Sequence, residues 1–229
     1  MRLMPIDPNL NIVRDGLIAW YDVLFQTSYP DSGTTWYDLS GNDDDGTLVN
    51  GVGYDSANGG SLDFDGVDDY VTLGSKSFLT GTSFTLQIWV KFDVLTSGQY
   101  YTMFSYGGYV AGGWLFQREG ASNKLRFAFD GTTTNDTPIT FTTTGVWTYI
   151  SLVVNSGVSR LVYIDTTSYS IGTSGTLNIT NPKTVEIARR TDTNSQYVNG
   201  KIGQISIYNK ALTAAEIQQN YNTTKGRFI

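Results

Sequence analysis

The 229-residue chain has no cysteine and no histidine. Without cysteine there is no disulfide and no thiolate zinc site. Without histidine a Ser/His/Asp or Cys/His catalytic group is excluded. Glutamate is scarce as well, with Glu119, Glu186 and Glu216 the only three. No apolar run is long enough to cross a membrane. The opening, MRLMPIDPNLNIVRDG, lacks the apolar core of a secretory signal. Charged residues make up 16%, below the usual globular level. The net charge is −6 and the 15 basic residues are scattered, which argues against nucleic-acid binding through phosphate neutralisation.

What is present points to a strand-rich fold. Hydrophobic residues reach 40%, enough for a core, and Thr, Ser, Asn, Gly and Tyr take the place of charge. This mixture is usual in extracellular or virion-surface β proteins. Residues 1–15 carry Pro5 and Pro8 and show no period, so they read as an extended arm, expected to pack on the domain or on a neighbour. A single domain over residues 16–229 follows. Residues 84–93, FTLQIWVKFD, give the clearest strand: Phe84, Leu86, Ile88, Val90 and Phe92 on one face, Thr85, Gln87, Trp89 and Lys91 on the other. Shorter strands are expected at 16–22, 35–40, 46–50, 100–106, 113–118, 124–130, 147–155, 160–165, 184–189 and 201–208, separated by turn residues. Residues 61–73, SLDFDGVDDYVTL, alternate, break at Gly66 and resume, which predicts a hairpin of 61–64 with 69–73 around an acidic turn. One helix is expected: Thr213 and Glu216 in TAAE form a capping box, Ile217 and Tyr221 share a face, and Gly226 is a plausible stop.

Six of these segments, in order, resemble the laminin-G-like, concanavalin A-like lectin/glucanase family: GLIAWY (16–21), DLSGNDDDGTLVNG (38–51), SLDFDGVDDYVTL (61–73), SFTLQIWVKF (83–92), WTYISLVV (147–154) and GKIGQISIYNKALTAAEI (200–217). Tyr149 stands where the family often has His. The resemblance implies an all-β, concanavalin A-like jelly-roll sandwich of two antiparallel sheets, one of them concave, with a short C-terminal helix. The ending NYNTTKGRF (220–228) is similar to that of such domains in phage-encoded structural proteins.

Some relatives of this sandwich are glycoside hydrolases, with Glu-x-Asp-x-x-Glu along one strand. Here no glutamate has another within reach on its strand, so no enzyme activity is expected. Calcium takes roughly six to eight hard oxygens from flexible acidic loops. Asp43, Asp44 and Asp45, with Asp65, Asp68 and Asp69, are candidate ligands for one structural Ca²⁺; the alternative is that these aspartates simply solvate turns. For a sugar, the glycine-rich stretch 96–114 offers Tyr100, Tyr101, Tyr106, Tyr109 and Trp114, and a second loop offers Asn194, Gln196 and Tyr197. The alternative is that half these tyrosines alternate into a core. Trp20, Trp89 and Trp147 are assigned to packing, with Trp36 and Trp114 nearer loops. Arg189–Arg190 read as a solvated strand end, with contact to an acidic partner or glycan as the alternative. Three Asn-x-Thr sequons, at Asn135, Asn178 and Asn222, are expected by chance in a Thr-rich chain.

The functional expectation is a non-enzymatic virion-surface protein, decorating a phage capsid or tail and presenting a face to polysaccharide or cell-surface glycan. Its partners would be capsid or tail proteins, with no nucleic acid and no membrane insertion, and release by lysis would replace a secretion signal. The alternatives are a free-standing secreted lectin module, a degenerate hydrolase, and a structural cement without a ligand.

Overall fold

The computed structural model describes residues 10–77, 79, 83–173, 177–180 and 182–229. In chain order its strands are β1 (Leu17–Asp22), β2 (Thr35–Trp36), β3 (Gly46–Val49), β4 (Gly53–Asp55), β5 (Ser61–Asp65), β6 (Tyr70–Lys76), β7 (Phe84–Phe92) and β8 (Tyr101–Tyr106). Then follow β9 (Trp114–Arg118), β10 (Leu125–Phe129), β11 (Thr133–Asp136), β12 (Thr148–Asn155), β13 (Ser159–Ile164), β14 (Thr167–Gly172), β15 (Lys183–Ile187) and β16 (Asn199–Tyr208). The helix α1 spans Ala214–Thr224. The strands form two antiparallel sheets: sheet A in the order β14-β13-β12-β7-β16-β5-β4, with β1 also on β16, and sheet B in the order β11-β10-β9-β8-β15-β6-β3-β2.

The alternation of β7 sets the layers. Phe84, Leu86, Ile88, Val90 and Phe92 enter the core between the sheets, where Trp36, Phe104, Trp114, Phe116 and Phe127 meet them from sheet B. In sheet A, β7 is buried on both faces. Thr85, Gln87 and Trp89, on the opposite face of β7, are also buried, because α1 and the residues after it lie over them. The Trp89 ring stacks on Tyr221 at 5.8 Å and Phe228 at 4.5 Å, and its Nε1–H donates to Thr224 Oγ1 at 2.8 Å. Asn220 donates to Gln87 Oε1 at 2.7 Å and Tyr208 Oη at 2.9 Å, and accepts from the Val13 N–H at 2.8 Å. The helix starts where the sequence predicts, with both halves of the Thr213–Glu216 capping box formed. Residues 10–15 pack on the domain itself, with Ile12 and Val13 buried; the rest of the expected arm, residues 1–9, lies outside the described residues.

Two readings of the sequence need correction. Residues 61–73 are not a hairpin: β5 pairs with β4 and β16 in sheet A, whereas β6 pairs with β3 and β15 in sheet B. The acidic turn is a corner carrying the chain from one sheet to the other, so Phe64 and Val71 reach the same core from opposite layers. The strand expected at 35–40 stops at Trp36, because Asp38 takes over the local backbone. Its Oδ1 accepts from the Trp20 N–H (2.9 Å) and the Ser40 N–H (2.9 Å), and its Oδ2 from the Ser40 hydroxyl (2.6 Å). Among the described residues, no helix is long and apolar enough to cross a membrane.

Candidate ligand-binding groove

The outer side of sheet B carries two hollows, their floor residues overhung by loops so that Leu115, Gln117 and Ala128 are almost fully buried. Phe116 and Phe127 point into the core, which turns Leu115 and Gln117 of β9 and Arg126 and Ala128 of β10 outward. These four, with Thr134 of β11, floor a hollow of about 310 Å³ whose walls are Tyr100, Tyr109, Arg190 and Gln196. A second hollow of about 480 Å³ adjoins it, shares Tyr100 and Gln196, and continues past Asn194 and Tyr197 towards Gly66 and Asn199. Sharing Tyr100 and Gln196, they make one groove in the size range of ligand sites.

Two loops build the walls. The first, residues 107–113, turns on glycines with positive φ; a Cβ on Gly108 would lie 2.1 Å from Asp192 Oδ1, so only glycine lets this loop rest on Asp192. The second, residues 188–198, bends at Ala188 (φ +66°) and Gln196 (φ +62°), where a side chain is strained. Sheet B holds it there. Ala188 N–H donates to the Met103 carbonyl (3.1 Å), Thr102 N–H to the Gln196 carbonyl (2.8 Å), and Thr191 N–H and Oγ1–H to Ser105 Oγ (3.2 and 2.9 Å).

The groove's charges come in fixed pairs. Arg126 Nε and Nη2 donate to both oxygens of Asp136 (2.6 and 2.8 Å), and its Nη1 lies 3.8 Å from Glu119 Oε1. Arg190 binds Asp192 in the same two-pronged way, at 2.7 Å twice. Burial would raise the Glu119 carboxyl, but bonds from the Ser122 hydroxyl and N–H, the Ala121 N–H and the Tyr100 hydroxyl outweigh it and hold the pKa at about 2. The Tyr100 phenol is raised in turn, first by that bond to Glu119 and then by burial.

The sequence candidates divide by strand alternation. Tyr100, Tyr109 and Gln196 line the groove, and Asn194 and Tyr197 join them in its extension. Tyr101 touches that extension but packs its ring on Phe92 in the core, and its Oη accepts from the Thr96 N–H at 2.9 Å. Tyr106 and Trp114 are fully buried and do not face a ligand: Trp114 stacks on Phe84 at 4.6 Å and Phe104 at 5.1 Å, and Tyr106 donates to the Lys76 carbonyl at 3.0 Å. Sequence reasoning passed over Gln117 and Arg126 as groove residues and set Arg190 aside as a strand end. The alternation Leu125–Phe129, which puts Arg126 opposite Phe127, already carried the signal.

The six candidate metal ligands fall into two places. Asp43 is exposed, Asp44 pairs with Lys76 at 2.6 Å, and Asp45 accepts from the Asp38 N–H at 2.8 Å. Asp65, Asp68 and Asp69 come together at the corner, with one oxygen of each within 4.8 Å of the others. Asp65 Oδ1 accepts from the Val67 N–H (2.7 Å) and the Asp68 N–H (3.3 Å), and Asp69 Oδ2 from the Asp65 N–H (3.1 Å). Asp69 Oδ1 is buried without a partner, and burial, followed by the neighbouring carboxylates, raises its pKa. These hard oxygens suit calcium rather than a softer metal, and Asp65, Asp68 and Asp69 would be its ligands.

All three glutamates are engaged: Glu119 as above, Glu186 with Arg189 through bonds of 2.8 and 2.5 Å, and Glu216 in the helix cap with Lys210.

A two-sheet sandwich with a tyrosine-walled groove beside one sheet is a lectin-like architecture. A family model described as Laminin_G_3, concanavalin A-like lectin/glucanases superfamily, matches residues 65–218, and the chain belongs to that family. No curated protein matches the sequence. Among solved structures, the chain is similar to Trypanosoma rangeli sialidase in complex with sialic acid, at TM-score 0.67 and 15% identity over 92% of this chain; it spans 33% of that protein. It is similar over 91% of its length to domain 4 of AbnA, a GH43 extracellular arabinanase from Geobacillus stearothermophilus, in complex with arabinotriose, at TM-score 0.67 and 18% identity; 98% of that domain is covered. The binding domain of botulinum neurotoxin DC, in complex with rat synaptotagmin II, matches at TM-score 0.70 and 16% identity, over 93% of this chain and 52% of that one. At these identities the likeness is one of fold.

Proposed function

We propose that the chain is a non-catalytic glycan-binding domain and that a sugar chain lies in the groove on sheet B. The observation that carries this reading is the pairing of two half-buried rings, Tyr100 and Tyr109, with the oriented polar groups of Gln117, Arg126, Arg190 and Gln196. The rings offer flat apolar faces to a pyranose or furanose, and Gln117, Gln196 and the guanidinium edges meet its hydroxyls. Preorganisation limits the entropy lost on binding. The engagement of all three glutamates supports binding without hydrolysis, since a glycosidase needs a proton-donating and a second carboxyl flanking the bond. The arabinotriose complex of AbnA domain 4 supports a role for this sandwich in holding an oligosaccharide.

The proposal includes the setting expected from the sequence, the surface of a phage particle, where many copies would turn weak single sites into avid attachment. Immunogold labelling of virions tests that part; absence from every particle returns the domain to a free-standing secreted lectin. Binding itself is tested by electrophoresis of the whole chain through gels containing soluble polysaccharides. Wild type is expected to be retarded by at least one of them, and Tyr109→Ala to lose that retardation at least tenfold, about 1.4 kcal/mol. A protein that migrates unretarded through every polysaccharide is not a glycan-binding domain.

A further inference from the structure

The groove contains two arginines, and the first expectation from two guanidiniums beside aromatic rings is an acidic sugar. The geometry points the other way. An arginine recognises a carboxylate through its fork, two parallel N–H groups reaching both oxygens. In Arg126 and Arg190 the fork made by Nε and Nη2 is occupied by a carboxylate of the chain itself, Asp136 in one case and Asp192 in the other. Asp192 is fixed in turn by the close approach of Gly108. The remaining Nη1 of Arg126 faces Glu119. The two cations therefore stand beside three anions, no lysine lines the groove among the described residues, and the whole chain carries −6. An incoming carboxylate or sulfate would have to displace an internal partner or enter a site with negative local charge.

Hydroxyl groups face no such obstacle. A locked Arg–Asp pair puts a fixed guanidinium on the groove lining while its aspartate, Asp136 or Asp192, stays off that lining, so each pair offers oriented N–H donors. Sugar hydroxyl oxygens accept from such donors without bringing a charge. Gln117 and Gln196 add amides whose Oε1 atoms lie against the Thr102 hydroxyl at 3.1 and 3.0 Å, which fixes their orientation. The extension past Tyr100 gives room beyond the first hollow, about 480 Å³ next to about 310 Å³, so the groove admits a stretch of chain rather than one terminal residue.

We infer that the ligand of this groove is an uncharged oligosaccharide segment of a polysaccharide, bound through hydroxyls to Arg126 and Arg190, each held in place by its aspartate, and through ring stacking to Tyr100 and Tyr109. This rests on the glycan-binding reading above and specifies its ligand class.

The test is retention of the whole protein on immobilised polymers of the two classes at 20 and 300 mM NaCl. The neutral set is arabinan, galactan, mannan and dextran; the acidic set is polygalacturonate, alginate, hyaluronate and polysialate. Retention by at least one neutral polymer is expected, with an affinity that changes less than twofold between the two salts, and none by the acidic set. Retention by acidic polymers alone, weakening at high salt, overturns the ligand class while leaving glycan binding intact. Retention by nothing overturns both. Asp192→Asn, checked for folding by its thermal melt, frees the Arg190 fork. It is expected to weaken neutral binding at least fivefold and to create salt-sensitive retention on polygalacturonate. Unchanged neutral binding in a folded Asp192→Asn protein would show that the locked pair is not the contact.

Discussion

At Glu119 the fold holds a carboxylate in its charged form. Its pKa of about 2 lies below the ordinary 4.5, so the stability it contributes is complete above pH 4.5 and disappears as pH falls towards 2. That contribution is on the order of 3 kcal/mol. Glu119→Gln is expected to cost about 1–3 kcal/mol at pH 7, because an amide cannot accept from Ser122 and Ala121 with both its atoms. Urea melts of both proteins across pH 2 to 6 check this: the gap should close as pH drops through the window, and a gap independent of pH would refute the account. Gly108 is a second point of this kind. Gly108→Ala places a Cβ on Asp192 at a φ of +84° and is expected to lower Tm by roughly 4–8 °C, about 2 kcal/mol. Differential scanning calorimetry measures it, and a Tm within 1 °C of wild type would show that the two loops are not stitched there.

Single elements carry the next level of prediction. Helix α1 seals the back of sheet A, and its entry rests on the Thr213 hydroxyl and the Glu216 carboxylate. Thr213→Ala is expected to cost about 1 kcal/mol in chemical denaturation, and to weaken the near-ultraviolet signal of Trp89, which the helix end holds through Thr224 and Tyr221. An unaltered spectrum and midpoint would show that packing alone seats the helix. Elements of this strength were legible in the sequence. Period two in residues 84–92 and the capping box each rest on local chemistry that no distant contact reverses. The three strands passed over, β4, β11 and β14, occupy or flank sheet edges, where one face is wet and alternation fades; TSYSIG of β14 has one buried residue in six. The corner at Asp65–Asp69 was misread because a tight acidic turn between alternating runs looks the same whether the second run pairs back on the first or joins the other sheet. The groove was half legible. Its tyrosines stood out by composition, but Tyr106 and Trp114 fell to the core side, and Arg126 and Gln117 were hidden in plain alternation.

Over the whole molecule the two sheets share one core, and residues far apart in the chain close it. Arg227 pairs with the buried Asp22, Val13 bonds Asn220, and Gln219 and Thr223 donate to the Asn11 carbonyl. One cooperative unfolding transition is expected, with tryptophan fluorescence, which reports both core and helix seal, coinciding with tyrosine signals from the groove. Two separated transitions would mean that the sheets or the helix unfold independently. The position of β16 extends this to how the protein is made. This strand lies inside sheet A with β7 and β5 on its flanks and also takes β1 as a partner, so β1, β5 and β7 wait for a strand that is translated after all three. Until residues 199–208 leave the ribosome, β1 and β5 have no neighbour on that side and the core stays open along its middle. A chain cut before residue 199 is therefore expected to leave β1 without its partner and the middle of sheet A unclosed.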